Sequence, residues 1–371
     1  MRWRISSGGV VMIDWYARLE IPDEMEVARD GRASIMAYRS LPPGFAGYLA
    51  NVRFGTAGVQ YRRLDVAAEL RRLDTPIFFA VWIDGSIAGT YVLNLRTLAV
   101  DGESILGAYR ALLSVAPEHS AQGLGRWVAD RCLEWFRQRC VESRQVALSW
   151  GCIEVENERS LKALAAAGGE ELGRLESLLT YRQWPRKKLV TNEPTLEQQE
   201  DLRALVDAAL TDCAVRPMPL FDQSYRVASL PNGHLAGARV VSERVSMERI
   251  GGIWDSLYRY LLRYSGAARR RFDPSNFHYL RISDLAISDE SVVGLPDFVT
   301  SNMAEEGSHM AMFVVDQRSR LAARLRDLGL FGRFAAATRT EIVVMGRMLH
   351  GDKDLVGAVR RAPIALTPLT G

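Results

Sequence analysis

A chain of 371 residues is too long for one ordinary core, so two domains are expected. Its 48% hydrophobic and 25% charged residues exclude a disordered chain, and a net charge of +3 is too mild to argue for nucleic-acid or membrane partners. No apolar run reaches the roughly 20 residues of a membrane span. The four cysteines (Cys132, Cys140, Cys152, Cys213) lack CxxC spacing and a nearby histidine, which argues against a metal site or a disulfide framework and fits a reducing cytoplasm.

The basic start at Met1 is followed by no apolar stretch of signal-peptide length. Residues 2–11 show no clear element, which leaves Met12 open as an alternative start. Residues 33–39 read as a first strand and 66–73 have helical spacing. Residues 78–93 give the clearest local signal, two β-rich runs around the hairpin pair Asp84-Gly85. Residues 108–115 form the next strand and 116–121 a turn. A helix then starts near Gly123, with Val128, Cys132, Leu133 and Phe136 at helical spacing and Arg126, Asp130 and Arg137 on the other side. A strand over 145–153, a short helix over 159–167 stopped by Gly168-Gly169, and a strand over 178–184 complete this half.

Residues 185–194 are polar, charged and bounded by prolines, which places a domain boundary there. The division is then 1–185, a linker over 186–194, a second domain over 195–350, and a loose tail over 351–371. Thr195 is an N-cap for a helix running to about Leu210, whereas residues 211–252 give no clear pattern. Residues 253–271 read as a long helix carrying Trp254, Tyr258, Tyr260 and Tyr264 and ending in Arg269, Arg270 and Arg271. A packed aromatic face with arginines at the negative helix end explains it, and a docking surface for nucleic acid or a carrier protein is the alternative. Strands over 277–287 and 310–315, helices over 295–305 and 318–328, and a strand-rich run over 334–346 follow. Both halves thus end as strand, turn, helix, strand, short helix with glycine, strand, which suggests a duplication.

Residues 115–127 (VAPEHSAQGLGRW) carry the chemistry. A strand runs into a tight loop whose glycines sit where a helix begins. Such a loop points free N–H groups at one spot, the helix dipole adds partial positive charge, and Arg126 supplies a cation. Glycine also removes the side chain that would block a phosphate. This is chemistry for a pyrophosphate, although Gly-x-Gly alone is weak evidence.

The run resembles the signature loop of the GNAT acyltransferases, Arg/Gln-x-x-Gly-x-Gly/Ala after a Val-x-Pro-Glu strand end. Asn157-Glu-Arg-Ser160 and the helix ending at Gly169 resemble the family's second landmark, and the hairpin with Gly89 its second and third strands. The resemblance covers residues 33–184. It implies an α/β (α+β) fold, a mixed and largely antiparallel sheet flanked by helices, here in tandem. It also implies a splayed strand pair, 108–115 and 145–153, with a pantetheine arm between them bonding to backbone near Leu113, Ser114 and Val115. The loop Ser120, Gln122, Gly123, Leu124, Gly125 and Arg126 would hold the pyrophosphate of acetyl-CoA or another acyl-CoA. Asn157 and Ser160 would meet the pantetheine, Asn157 capping its helix as well or instead. An amine attacks the thioester, and a backbone N–H near Leu113 holds the oxyanion.

The sequence departs from the family at three points. Ser120 occupies the usual Arg/Gln position, Leu164 stands where many members carry a tyrosine, and Gly169 replaces a phenylalanine. No glutamate lies on the fourth strand, which offers Tyr109 and Arg110. Glu154 and Glu156 are the candidate proton acceptors, against a reading as solvated loop carboxylates. Cys152 reads as a small core hydrophobe and His119 as a surface residue. In the second half the matching loop, residues 288–294, has one glycine and the acidic pair Asp289 and Glu290, which would repel a pyrophosphate. A degenerate second copy is expected. The function implied is transfer of an acyl group, acetyl first, to a small-molecule amine. The alternatives are a donor on an acyl carrier protein and a non-catalytic acyl-CoA-binding protein.

Overall fold

The computed structural model describes residues 13–55, 59–100, 103–181, 188–219, 221–249, 273–328, 340–351, 354–366 and 368. The first half builds an antiparallel run: β1 (Glu24–Asp30), β2 (Ala33–Tyr38), β4 (Pro76–Ile83), β5 (Ser86–Val100) and β6 (Glu103–Val115). Asp84 and Gly85 both have positive φ (51° and 79°), as a two-residue turn between right-twisted strands requires. Helix α4 (Leu124–Glu142) lays Leu124, Val128, Cys132, Leu133, Trp135, Phe136 and Cys140 on one face of this sheet. Helices α2 (Phe45–Ala50) and α3 (Val66–Arg71) pack the other face with Phe45, Leu49, Val66 and Leu70. Helix α1 (Trp15–Arg18) buries Trp15.

Strand β7 (Ala147–Glu154) then lies parallel to β6, and α5 (Glu158–Ala166) leads into β8 (Glu170–Tyr181). The second half repeats this plan. It holds α6 (Leu196–Ala209), β10 (Tyr225–Ser229), β11 (Leu235–Arg249), β12 (Phe277–Ala286), α7 (Leu295–Glu306), β13 (Met310–Asp316), α8 (Arg320–Asp327) and β14 (Glu341–His350). Its β12 and β13 again pair in parallel. Helix α6 carries the cap its sequence announces: Thr195 accepts from Gln198 N, and Gln198 accepts in return from Thr195 N at 2.9 Å.

The two halves exchange their last strands. The sheet order is β1-β2-β4-β5-β6-β7-β14-β8-β13-β12-β11-β10, so β14 enters between β7 and β8, while β8 pairs with β13. Two short strands cross as well: β3 (Gln60–Arg63) pairs with β11, and β9 (Val215–Pro217) with β5. Among the described residues the sheet is therefore continuous through both halves.

Three expectations change. The stretch 211–252 contains β9, β10 and β11; the first two are too short to show a period, and β11 mixes apolar and polar residues without strict alternation. The tail is built rather than loose: α9 (Asp354–Arg361) is followed by Ile364 and Leu366, each 1% exposed, with Ile364 bridging Val215. The expected linker is pinned where described, since Leu189 N donates to Ser301 Oγ at 3.0 Å and Asn192 bridges Val227. The aromatic helix expected over 253–271, with Arg269–Arg271, lies outside the described residues. No described helix is long and apolar enough to cross a membrane.

Residues 1–185 alone would lose β14 from two strand edges. That fragment is expected to aggregate or to melt non-cooperatively in size-exclusion and circular-dichroism experiments, and a monomer with a sharp transition would contradict the exchange. Burial pushes the thiols of Cys140, Cys152 and Cys213 up to about 12, and that of Cys132 well up too. Their folded values exceed the unfolded value of about 8.5, so the folded protein holds protons that the unfolded chain releases. Stability is thus intact below about pH 8.5 and falls as pH rises towards 12, which denaturant titrations of wild type and Cys→Ala variants should register.

Candidate functional site

The parallel pairing of β6 with β7 lasts for four rungs only, Leu106↔Ala147 to Tyr109↔Trp150. Beyond Tyr109 and Trp150, whose rings lie 5.7 Å apart, the strands separate into a fork. A bulge in β6 marks the place: the register with β5 jumps between Thr90 and Val92, and Leu112 takes a left-handed φ of 53°. Thr90 Oγ1 donates to the Leu112 carbonyl at 3.0 Å and holds the bulge. Leu113 is thereby turned out, 47% exposed, while Ser114 Oγ lies 3.5 Å from the Tyr48 hydroxyl of α2. Val115 packs partly against the core under α4.

After Val115 the chain makes a single 3-10 stretch (Pro117–Gln122), in which Ser120 Oγ donates to the Pro117 carbonyl at 2.9 Å. Ser120 and Gln122 are exposed. Gly123 then stands at the N-cap of α4 with φ 75° and no side-chain cap, and no atom lies within 4 Å of where its Cβ would be. Only glycine adopts this angle without strain, and the space before the helix start is open. Leu124 is buried in the core, and Gly125 sits against the Val115 side chain. Arg126 is 72% exposed in a loose pair with Asp130 at 3.6 Å. Residues 113–126 therefore line one continuous edge, running from the fork to the open end of a helix.

On the facing side, Asn157 caps α5: its Oδ1 accepts from Ser160 N at 3.2 Å. Glu154 ends β7 on the face that also carries Cys152 and Trp150, and its charge is felt by Tyr61 of β3. Glu156 is exposed in the turn after β7. The fold thus brings Glu154 to the fork side of the molecule and leaves Glu156 in a solvated turn. The Cys152 thiol stays protonated and points at the Leu366 carbonyl, 3.6 Å away, as a core residue does. His119, read as an exposed residue, is half-buried with Nδ1 closed off from solvent.

One residue escapes the sequence reading, and Arg110, named there only as a residue of the fourth strand, gains a partner. Tyr48 was invisible because α2 is short and lies far from β6 in the chain. Arg110 leaves β6 at the first unpaired rung and crosses over Gly151 to donate to the Met345 carbonyl of β14 at 2.8 Å. Burial, with Arg347 nearby, lowers its affinity for its proton.

The second half repeats the parallel pair, and there the bulge is tied to neighbouring side chains. Its β12 bulges at Asp284, φ 50°, and there Arg96 takes the Asp284 carboxylate at 2.8 Å while the buried Tyr225 hydroxyl donates to the Asp284 carbonyl at 3.0 Å. The loop after β12 is closed as well: Ser288 and Ser291 bond each other, and a Cβ on Gly294 would lie 2.6 Å from Leu230. Asp289 pairs with Arg324 at 2.5 Å. Among the described residues no three His, Cys, Asp or Glu side chains gather as a metal would need.

The sequence profile of the Acetyltransferase (GNAT) family matches residues 49–168. No curated protein matches the chain by sequence. Among solved structures, Saccharomyces cerevisiae N-myristoyltransferase with bound myristoyl-CoA is similar over 98% of this chain and 96% of that one, at 8% identity and a TM-score of 0.59. A second structure of that yeast enzyme is similar over 87% of this chain and 81% of that one, at 8% identity and a TM-score of 0.54. A GCN5-related N-acetyltransferase from Sphaerobacter thermophilus covers 79% of this chain at 13% identity with a TM-score of 0.45. The forked first half and its glycine-started helix agree with the GNAT acyltransferase profile over residues 49–168, and the whole chain is similar in fold to the yeast structures.

Proposed function

We propose that this protein is an acyl-CoA-dependent N-acyltransferase that moves an acyl group, acetyl or longer, to the amine of a small molecule. The observation that carries this reading is the open fork that leads along Leu113, Ser114 and Val115 to the uncapped helix start at Gly123. An extended pantetheine arm has free backbone groups to bond in that fork, because β6 and β7 no longer bond each other there. The pyrophosphate meets the N–H groups of Gly123, Leu124 and Gly125, with Ser120, Gln122 and Arg126 around it. Asn157 and Ser160 border the arm from the α5 side.

Attack is direct. The amine nitrogen bonds to the thioester carbon, and the oxyanion takes a backbone N–H near Leu113. Holding the two reactants together supplies roughly 7–11 kcal/mol of the barrier, so few side chains are needed. Glu154 takes the amine proton, directly or through water, and Glu156 is too exposed to be more than an auxiliary. The division into an active 1–185 and a degenerate 195–350 is part of the same reading. The bulge at Asp284, tied down by Arg96 and Tyr225, and the closed loop at Gly294 support it. The second half then serves as a wall of the acceptor pocket, and acetyl-CoA is the first donor to test.

Incubating the full chain with acetyl-CoA, longer acyl-CoAs and a panel of amines should release free CoA thiol in step with amide formation. Tight CoA binding without turnover on any amine would reduce the protein to a binding module. Gly123→Val forces φ 75° on a β-branched residue, at about 1–2 kcal/mol of strain, and is expected to weaken acyl-CoA binding by ~10-fold or more. Glu154→Gln should lower kcat by ~100-fold with the acyl-CoA KM nearly unchanged, and an unchanged kcat would remove Glu154 from the reaction.

A further inference from the structure

Arginine is buried at five described positions: Arg63, Arg96, Arg110, Arg239 and Arg281. Four have carboxylate partners: Arg63 with Glu69 at 2.6 Å, Arg96 with Asp284 at 2.8 Å, Arg239 with Asp74 at 3.1 Å, and Arg281 with Glu243 at 2.8 Å. Arg110 has none among the described residues. It bonds the Met345 carbonyl, and its Nε is buried without a partner. The Tyr91 hydroxyl and Ser149 Oγ, both buried, are likewise without partners. All three belong to the sheet face that α4 covers. A cation taken out of water without a counter-charge is costly, so a protein that keeps one there has a use for an anion.

The position of Arg110 says which anion. It stands at the apex of the fork, at the first rung where β6 and β7 part, and its side chain crosses β7 over Gly151. The pyrophosphate end of the fork is at Val115 and Gly123, five residues or more along the strand. An arm lying along Val115 and Leu113 reaches the apex with its acyl end. We propose that the donor is an acyl-CoA whose acyl group carries its own carboxylate, a dicarboxylic monothioester, and that Arg110 is the residue that selects it. This deepens the acyltransferase reading and rests on it. In the transfer, the amine nitrogen bonds to the thioester carbon, the C–S bond breaks, and the proton lost by nitrogen ends on the CoA sulfur. The carboxylate passes unchanged into the amide product.

Binding of succinyl-CoA, butyryl-CoA and CoA to the full chain, with no acceptor present, tests this. Wild type is expected to bind succinyl-CoA ~10-fold or more tighter than butyryl-CoA. Arg110→Met should erase that preference, leave butyryl-CoA within about 3-fold, and raise the melting temperature of the unliganded protein, because a lone buried charge has gone. Equal affinities in wild type, a measurement that needs no variant, would overturn the proposal. So would an equal loss for all three ligands in Arg110→Met, which would put the guanidinium on the arm they share. Failure of all three to bind would sink the CoA reading itself, a different result from equal binding.

Discussion

The structure depends on the pairing of β14 with β7. All eight residues of β7 are in register with β14, from Ala147 to Glu154, whereas only four are in register with β6. A strand can part from one neighbour only if another holds it, because free N–H and C=O groups away from water are costly. Here the second half supplies that neighbour. The exchange therefore does more than join the two halves, since it holds β7 while β6 bulges away at Leu112. The left-handed φ of Leu112 costs about 1–2 kcal/mol, and the bond from Thr90 fixes it in place.

The charged layer between the halves follows from the same arrangement. Asp74 of the first half meets Arg239 of the second, Arg96 meets Asp284, and Arg281 holds Glu243 together with the Tyr279 hydroxyl at 2.6 Å. Burial pushes the Glu243 carboxyl up, but Arg281 and Arg63 outweigh it and hold it below its usual value. Such pairs add little net stability, yet removing one partner leaves a lone buried charge, at about 3–5 kcal/mol. They set how the halves register rather than how tightly they bind. The cavity among them, about 20 Å³, has room for about one water and none for a substrate.

Local chemistry was legible in the sequence and long-range pairing was not. The Asp84-Gly85 turn, the Thr195 cap and the Gly123 helix start each need residues within a few positions of one another, so their signals survive without the fold. The strands of 211–252 were unreadable because β9 has three residues and β11 changes partner along one edge, from β10 to β3. The tail looked loose because its packing residues, Val356, Val359, Ile364 and Leu366, are split by Gly357 and Pro363 into runs too short to show a period. At the site, Gly123 and Arg126 announced themselves as a motif. Arg110 did not, because its meaning needs the crossing over Gly151, the carbonyl of Met345 from the far half, and the absence of an acid near it among the described residues.

The alternation along β7 gives the site two sides. Leu148, Trp150 and Cys152 face the core shared with α2 and α3, and Glu154 continues that series. Ile153 faces the other way with Leu161 and Leu164 of α5, and Gly151 opens the same side to Arg110. On the proposed reading, the two kinds of charge at the fork are thus separated by the thickness of a strand. The cation stands on the helix-covered side, from which the arm arrives, and the carboxylate stands on the side of Tyr61 and the second half. A thioester lying between them would present its carbonyl to an amine arriving from the carboxylate side. A carboxylate on its acyl group would be drawn away from Glu154 towards Arg110, since like charges repel and the arginine has no carboxylate partner among the described residues. The absent tyrosine and strand glutamate matter less in such a site, because its selectivity comes from which face each charge occupies.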